Sequence, residues 1–478
     1  MTYAGLVIAL AVAGVSRVTA QELTGAWSGK IAGQLPIIFH FVKDASGQIS
    51  GSFDVPSQNA TGVPFSSVTS EKDSFICVLQ APPVRVSLSR TNDTTLTGSW
   101  VQGAASPPLV LHRGLNGFSG AAAGPVKHPQ TPVPPYPYQS DSVEYDNADH
   151  SVHFGATLTY PKTGGPFPAM VMITGSGIQD RDETLFGQKP FAVIADYLTR
   201  RGYAVLRVDD RGAGLTRGGV RFPTSGDFAR DVETGLQYLK TRKEINPAKM
   251  GLVGHSEGAM IAPMVAARNK DVSFIILLAS PAIGGYATVL RQTMDLSKYA
   301  NPDPRYPDYS VHLEQLLLDN AKAAKDSSDF ITRFYAGYKT WTDSVADSVK
   351  QRFPTIFLSE ADFKGYFGAQ TKLFLNPWYI FWLDYMPVND FRHVTCPVLA
   401  MNGDKDIQVA YKANLDLINK TLTQAGNRHF ETKVMPGLNH LFQHCRTCVL
   451  NEYGKLEETF APEALQTMGD WLDANVGH

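Results

Sequence analysis

From about Ser140 onward, short uninterrupted apolar runs alternate with amphipathic stretches, and this alternation constrains the fold more than any other feature of the chain. "VHFGATLTYP" reads as a strand and "AMVMITG" as a short buried one; "FAVIADYLTRR" follows as an amphipathic helix and "YAVLRVDD" as the next strand. A helix around "DFARDVETGLQYLKTR", the strand "KMGLVGH", a helix from Glu257 to about Arg268 and the strand "FIILLAS" continue the series. Strands that are apolar on both faces must be covered on both faces. The pattern therefore predicts an α/β fold with a mostly parallel sheet between layers of helix.

The alternation stops from about Tyr286 to Phe391, where the sequence is helical and aromatic and includes "NPWYIFWLDYM". It resumes with "CPVLAMNGD", the helix-like "KANLDLINKTLTQAG", the strand "FETKVMPG" and a last helix from about Pro462 to Ala474. A block inserted between two strands of one sheet is expected to cap its carboxyl edge, where open α/β sheets bind ligands. Its aromatics should mostly pack together and, as a group, line one wall of a pocket. The expected boundaries are residues 140–286 and 393–478 for the two parts of the core, with a helical cap at 287–392.

Upstream the texture differs. Residues 21–114 carry short apolar alternations such as "LPIIFHFV", "VRVSLSR" and "LVLHR" between Gly- and Ser-rich turns, which predicts an N-terminal all-β domain, a sandwich or small barrel. Trp27 and Trp100 are expected in its core. Residues 115–139, dense in Gly and Ala and then in Pro, read as a linker. Before all of these, the run Ala4–Val15 followed by Val18-Thr19-Ala20 resembles a signal peptide, residues 1–20, although no Lys or Arg precedes the run. It implies a secreted or periplasmic protein. No later segment approaches the roughly 18 apolar residues of a membrane span.

The balance of 43 Lys+Arg against 45 Asp+Glu gives no electrostatic ground for nucleic acid, so a small uncharged or mixed substrate is expected. Four cysteines in 478 residues are too few for a disulfide scaffold.

The chemistry concentrates at "GHSEG", residues 254–258, between a predicted strand and a predicted helix. Such an elbow needs a strained turn that lifts the serine hydroxyl clear of the sheet, with glycines where side chains would collide; Ser256 is the candidate nucleophile. A serine hydroxyl needs a base to take its proton and a carboxylate to fix the imidazole tautomer. Two strand-end loops downstream supply them. "MNGDKDIQV" contains Asp404 and Asp406, and "MPGLNHLF" contains His440. The spacing Gly403-x-x-Asp406-x-x-Val409 favours Asp406 as the acid, leaving Asp404 to cap backbone N–H groups. His255 is expected to point away from the hydroxyl into the elbow packing. An oxyanion hole would combine the backbone N–H of Glu257 with a donor from "ITGSGIQDRDE", where Gly177 and Ser176 are the candidates.

Together "ITGSGIQDRDETLFGQKPFAVIADYLTRRGYAVLRVDDRGAGLTRG", "GHSEG", "NGDKDIQV" and "PGLNHLFQ" resemble the α/β-hydrolase superfamily and, within it, EstD-like carboxylesterases. The resemblance covers most of the chain from about residue 140. It implies an α/β-hydrolase fold and hydrolysis of short-chain acyl esters through Ser256, Asp406 and His440, without a metal or organic cofactor. Asp210 and Arg211 are expected to serve as structural ion-pair and turn residues.

Other readings compete. His440, His444, Cys445 and Cys448 suggest zinc by type, but known sites pair two close ligands with a distant second pair, and here all four are crowded together. In an exported protein Cys445 and Cys448 are candidates for a local disulfide, with free buried thiols as the other possibility. A peptidase, an acyltransferase or a thioesterase of the same fold is the alternative activity. The β domain is expected either to pack against the cap or to bind a carbohydrate, envelope or protein target. Acyl-chain length, natural substrate and oligomeric state correspond to no pattern in the sequence.

Overall fold

The computed structural model describes residues 23–31, 35–43, 49–55, 60–71, 73–79, 84–102, 107–114 and 126–477. The leader expected at 1–20 lies outside them, as does the first part of the expected linker. The chain divides into two compact units, Met1–Ala123 and Gly124–His478.

In the first unit the alternating runs form β1 (Gly25–Ile31), β2 (Leu35–Lys43), β3 (Ile49–Val55), β4 (Ala60–Pro64) and β5 (Ser67–Glu71). They continue with β6 (Ser74–Leu79), β7 (Val84–Asn92), β8 (Thr95–Gln102) and β9 (Pro108–Arg113). All lie in one sheet of order β4-β3-β2-β1-β9-β8-β7-β6-β5. Period 2 places Ile37, Phe39 and Phe41 of β2 on one buried face. Four strand steps separate β3 from β8, about 19 Å if the sheet were flat. Phe53 of β3 and Trp100 of β8 nevertheless meet with ring centroids 5.3 Å apart. The sheet therefore curls around a single core, in which Trp27 and Trp100 are both buried.

In the second unit β10 (Gln139–Asp146), β11 (Val152–Tyr160), β12 (Phe167–Ile173), β13 (Ala204–Val208) and the two-residue β14 (Arg217–Gly218) are followed by β15 (Ile245–His255), β16 (Val272–Leu278), β17 (Val398–Gly403) and β18 (Phe430–Met435). The sheet order is β10-β11-β13-β12-β15-β16-β17-β18, with β14 beside β11. The edge formed by β10 and β11 is antiparallel, and every pair from β13 to β18 is parallel. Helices α1 (Pro190–Arg200), α2 (Ser225–Lys240) and α3 (Glu257–Ala266) connect these strands in the first part of the core. The unbroken apolar runs have a direct cause: Ala169 and Val171 of β12 face one hydrophobic core, while Met170 and Met172 face the other.

Between β16 and β17 lies the cap: α4 (Gly285–Ala300), α5 (Tyr306–Ala323), α6 (Ser327–Asp343), α7 (Asp347–Arg352), α8 (Glu360–Phe374), α9 (Pro377–Asp384) and α10 (Val388–Phe391). Phe330, Phe334, Phe363 and Phe367 form its own core, which reaches Met260 of α3 beneath. The chain closes with α11 (Tyr411–Gln424), α12 (Leu450–Tyr453) and α13 (Pro462–Asn475). The architecture is an α/β-hydrolase core with a helical cap, preceded in the chain by an all-β domain. No helix among the described residues is long and apolar enough to cross a membrane.

The Pro-rich stretch expected to act as a linker is in part held on the core. Gln130 Nε2 donates to Phe460 O at 2.6 Å, its Oε1 accepts from Thr459 N at 2.6 Å, and Tyr138 OH donates to Asp196 at 2.8 Å.

Candidate active site

Strand β15 ends at His255 and α3 begins at Glu257, which leaves Ser256 alone to reverse the chain, with φ 52° and ψ −115°. A non-glycine residue with this backbone carries strain of about 1–3 kcal/mol, and the structure around it must enforce the turn. The flanking glycines show how. A Cβ on Gly254 would stand 2.1 Å from Gly258 O, and one on Gly258 would stand 2.0 Å from Ile173 O. The elbow is thus pressed against the end of β12, and Ser256 N–H donates to Leu278 O at 2.8 Å.

Two further strand ends bring the other candidates to the same place. A Cβ on Gly403, the last residue of β17, would meet Leu438 O at 2.1 Å, so the loops carrying Asp406 and His440 pack backbone to backbone. His440 Nδ1–H donates to Asp406 Oδ2 at 2.7 Å. Asp406 Oδ2 also accepts from Asn402 Nδ2 at 3.0 Å, and Oδ1 accepts from the N–H groups of Gln408 and Val409 at 2.8 and 2.9 Å. Four donors fix the buried carboxylate in place, and with Nδ1 donating to it, Nε2 is the ring nitrogen of His440 left for proton transfer. Asp404 does something else: its Oδ1 accepts from Gly437 N at 2.7 Å and braces the histidine loop.

Ser256 and His440 line one cavity of about 380 Å³ together with Ser176 of the loop after β12. Gly177 lines two adjoining pockets instead. Cap residues Trp378, Tyr379 and Trp382 also line the cavity that holds Ser256. Some of the cap aromatics therefore do face a pocket, while most pack on each other.

Pattern does not single out Glu183, and it gives no polar partner to the ring of His255 or to the carboxyl of Glu257. Glu183, with φ 51°, is buried after the "GSGIQDRD" turn; its Oε1 accepts from Gly175 N at 2.7 Å and lies 2.9 Å from His255 Nδ1. His255 is buried in the elbow packing, yet it does more than fill space, because its Nε2 donates to the backbone O of His440 at 3.0 Å. Burial opposes protonation of His255, but the Glu183 charge and its hydrogen bond outweigh that effect and hold the imidazole pKa above its ordinary value. The Glu257 carboxyl is fully buried and its pKa is raised by that burial, partly offset by hydrogen bonds from Ser225, Trp378 and Ser176. Trp378 Nε1 donates to Glu257 Oε1 at 2.7 Å, so a cap helix is tied to the residue after Ser256.

The expected ion pair at Asp210 and Arg211 takes another form. Arg211 pairs with Asp231 at 2.6 Å, whereas Asp210 accepts from Thr174 Oγ1 and Gln179 N, both at 2.9 Å. The side chains crowded at residues 440–448 are each committed elsewhere. His440 binds Asp406, His444 binds Glu458 and Glu463, and Cys445 and Cys448 form a disulfide. No cluster of His, Cys, Asp and Glu among the described residues is arranged to hold a metal ion.

A family model described as serine aminopeptidase, S33, matches residues 189–333, which include the Ser256 elbow and the first part of the cap. The esterase EstD of Thermotoga maritima is 33% identical over 143 residues, 30% of this chain and 34% of EstD. YtaP of Bacillus subtilis is 26% identical over 150 residues, 28% of this chain and 50% of YtaP. The chain thus spans half or less of the length of these relatives. Among solved structures the Pyrococcus furiosus esterase Pf2001 aligns with 71% of this chain and 92% of its own, at 14% identity and a TM-score of 0.41.

Proposed function

We propose that this chain is a serine hydrolase of carboxylic esters, with short acyl chains as its first substrates. The observation that carries the reading is the buried Asp406–His440 hydrogen bond at the rim of a cavity that also contains Ser256 on a strained elbow. Ser256 Oγ attacks the ester carbonyl while His440 Nε2 takes its proton and Asp406 stabilises the imidazolium. The negative charge that develops on the carbonyl oxygen meets the N–H of Glu257 at the start of α3. The second donor is assigned to Ser176 rather than Gly177, because Ser176 lines the cavity. His440 returns the proton to the leaving alkoxide, and a water activated by the same histidine hydrolyses the acyl-enzyme.

An ester suits the cavity better than a peptide with a free amino terminus. Glu183 is the only carboxylate among its lining residues, and it is already engaged by Gly175 N and His255. The partial likeness to EstD, whose name gives it as an esterase, points the same way. Export is part of the proposal: the leader-like N-terminus supports it, and the Cys445–Cys448 disulfide suits an oxidising compartment.

Turnover of p-nitrophenyl acetate and labelling by a fluorophosphonate test the reading. Both are expected to vanish in Ser256→Ala with the thermal unfolding midpoint unchanged, and labelling that persists in the variant would refute Ser256 as nucleophile. A panel including one amide and one thioester separates the esterase from the alternative activities.

A further inference from the structure

A second concavity of about 850 Å³ adjoins the first, with Trp378 lining both. Gly177, next in the chain to Ser176, is among the residues that line it. Along it lie Ile178, Val220 and Phe222, which are 72%, 56% and 50% exposed. Single exposed apolar side chains are ordinary, but three large ones on one groove beside a reaction cavity mark a surface suited to being covered by an apolar ligand.

The groove is also charged. Arg211, Arg217 and Arg221 line it, and only Arg211 has an ion-pair partner among the described residues, Asp231. Arg217 feels Glu144, itself hydrogen-bonded to His153 at 2.6 Å. The Arg221 guanidinium lies 5.1 Å from the Phe222 ring centroid, a placement that fixes the cation at the apolar wall while leaving its donors open. The single acid lining the groove, Asp210, accepts hydrogen bonds from Thr174 and Gln179.

We propose that this groove binds the remote end of the substrate, and that the preferred esters carry an apolar chain ending in a carboxylate. The chain lies on Ile178, Val220 and Phe222 and the carboxylate pairs with Arg221. This inference rests on the esterase reading above and narrows it to a substrate class. Chemistry alone allows the carboxylate on either side of the scissile bond, as a half-ester of a dicarboxylic acid or as an acylated ω-hydroxy acid.

The test compares kcat/KM for length-matched pairs that end in carboxylate or in methyl. One arm uses p-nitrophenyl monoesters of dicarboxylic and fatty acids; the other uses acetyl esters of ω-hydroxy acids and alkanols. The carboxylate member is expected to win in one arm, which identifies the side of the bond. Arg221→Gln is expected to lower that preference about tenfold, as loss of a charge-assisted contact at a partly exposed site should, and Arg221→Glu to invert it. Methyl-ended esters favoured in both arms, or a preference that survives Arg217→Gln with Arg221→Gln, would overturn the proposal. Calorimetric binding of a monomethyl dicarboxylate to the full chain carrying Ser256→Ala is a readout free of turnover. If p-nitrophenyl acetate is not hydrolysed, the esterase reading fails by itself, and binding that is lost or retained in Arg221→Gln still decides for or against the groove.

Discussion

Glu183 Oε1 and His255 Nδ1 lie 2.9 Å apart in the interior, where the two residues are 1% and 4% exposed. Both ring nitrogens of His255 face acceptors, the Glu183 carboxylate and the His440 backbone oxygen, so the ring is an imidazolium that donates twice. Glu183 also holds Gly175 N–H. A continuous chain of charge-assisted contacts therefore joins the Gly175 end of the Ser176 loop to the backbone of His440, behind Ser256 and outside the reacting groups.

Glu183→Gln keeps the shape and removes the charge. Taking one partner from a buried ion pair typically costs about 3–5 kcal/mol, so the variant should unfold at clearly lower denaturant than the wild type. Because the folded-state pKa of His255 is raised, its contribution to stability is complete below the unfolded value of about 6.5 and is lost as pH rises through the folded value. In Glu183→Gln that loss should move to lower pH. The alkaline limb of kcat/KM is expected to follow, with kcat falling more than KM changes; an unmoved limb would mean that the pair only fills space.

Asp406→Asn should reduce kcat by about 10⁴-fold, because the amide allows the wrong tautomer of His440. Asp404→Asn retains an oxygen for Gly437 N–H and should stay within about threefold of wild type, consistent with a lost surface charge rather than lost chemistry. Side-by-side kcat/KM values on p-nitrophenyl acetate decide it, and the reverse ranking would exchange the roles of the two aspartates.

The grouping of Ser256, Asp406 and His440 was legible because each follows a recognisable strand and chain order alone predicts which loops meet. The antiparallel edge at β10 and β11 and the seven-helix detail of the cap were less so. Glu183 was not legible, since an acidic residue in "DRDE" reads as solvated until β15 and the histidine loop close over it. Trp378 sits in an aromatic run where packing is the ordinary outcome, and its indole N–H finds Glu257 only through the fold. Asp210 and Arg211 adjoin in sequence, but the turn after β13 points them to different partners. Local pattern identifies which residues stand at strand ends; which buried charges they meet depends on contacts such as Glu183–His255 and Glu257–Trp378, 72 and 121 residues apart.

Trp378→Phe should loosen the cap. It removes the N–H that reaches Glu257 while keeping an aromatic ring in the cavity wall. Leaving a buried acceptor without its donor costs about 1–3 kcal/mol, so protease cleavage around α8 and α9 should quicken by about tenfold and KM should rise severalfold. Cleavage at the wild-type rate would show that cap packing, and not this bond, holds α9 in place.

Asp210 gives the protein a pH response of the opposite kind to the usual carboxylate. Burial pushes its carboxyl up to about 7, against the lowering effect of its bonds from Gln179 N and Thr174 Oγ1, and the nearby Glu257 and Glu183 charges add to the rise. The folded chain thus keeps a proton that the unfolded chain releases at about pH 3.9. Stability must then fall as pH rises between these two values, by up to about 1.4 kcal/mol per unit from this group. Asp210→Asn is neutral at every pH and lacks that slope, although it forfeits one acceptor and so carries a constant penalty. Urea unfolding of both proteins from pH 4 to pH 8 should give curves that converge as pH rises, the variant losing less. Parallel curves would show that Asp210 is already ionised in the fold at low pH and that the loop after β12 rests on a charged rather than a neutral carboxyl.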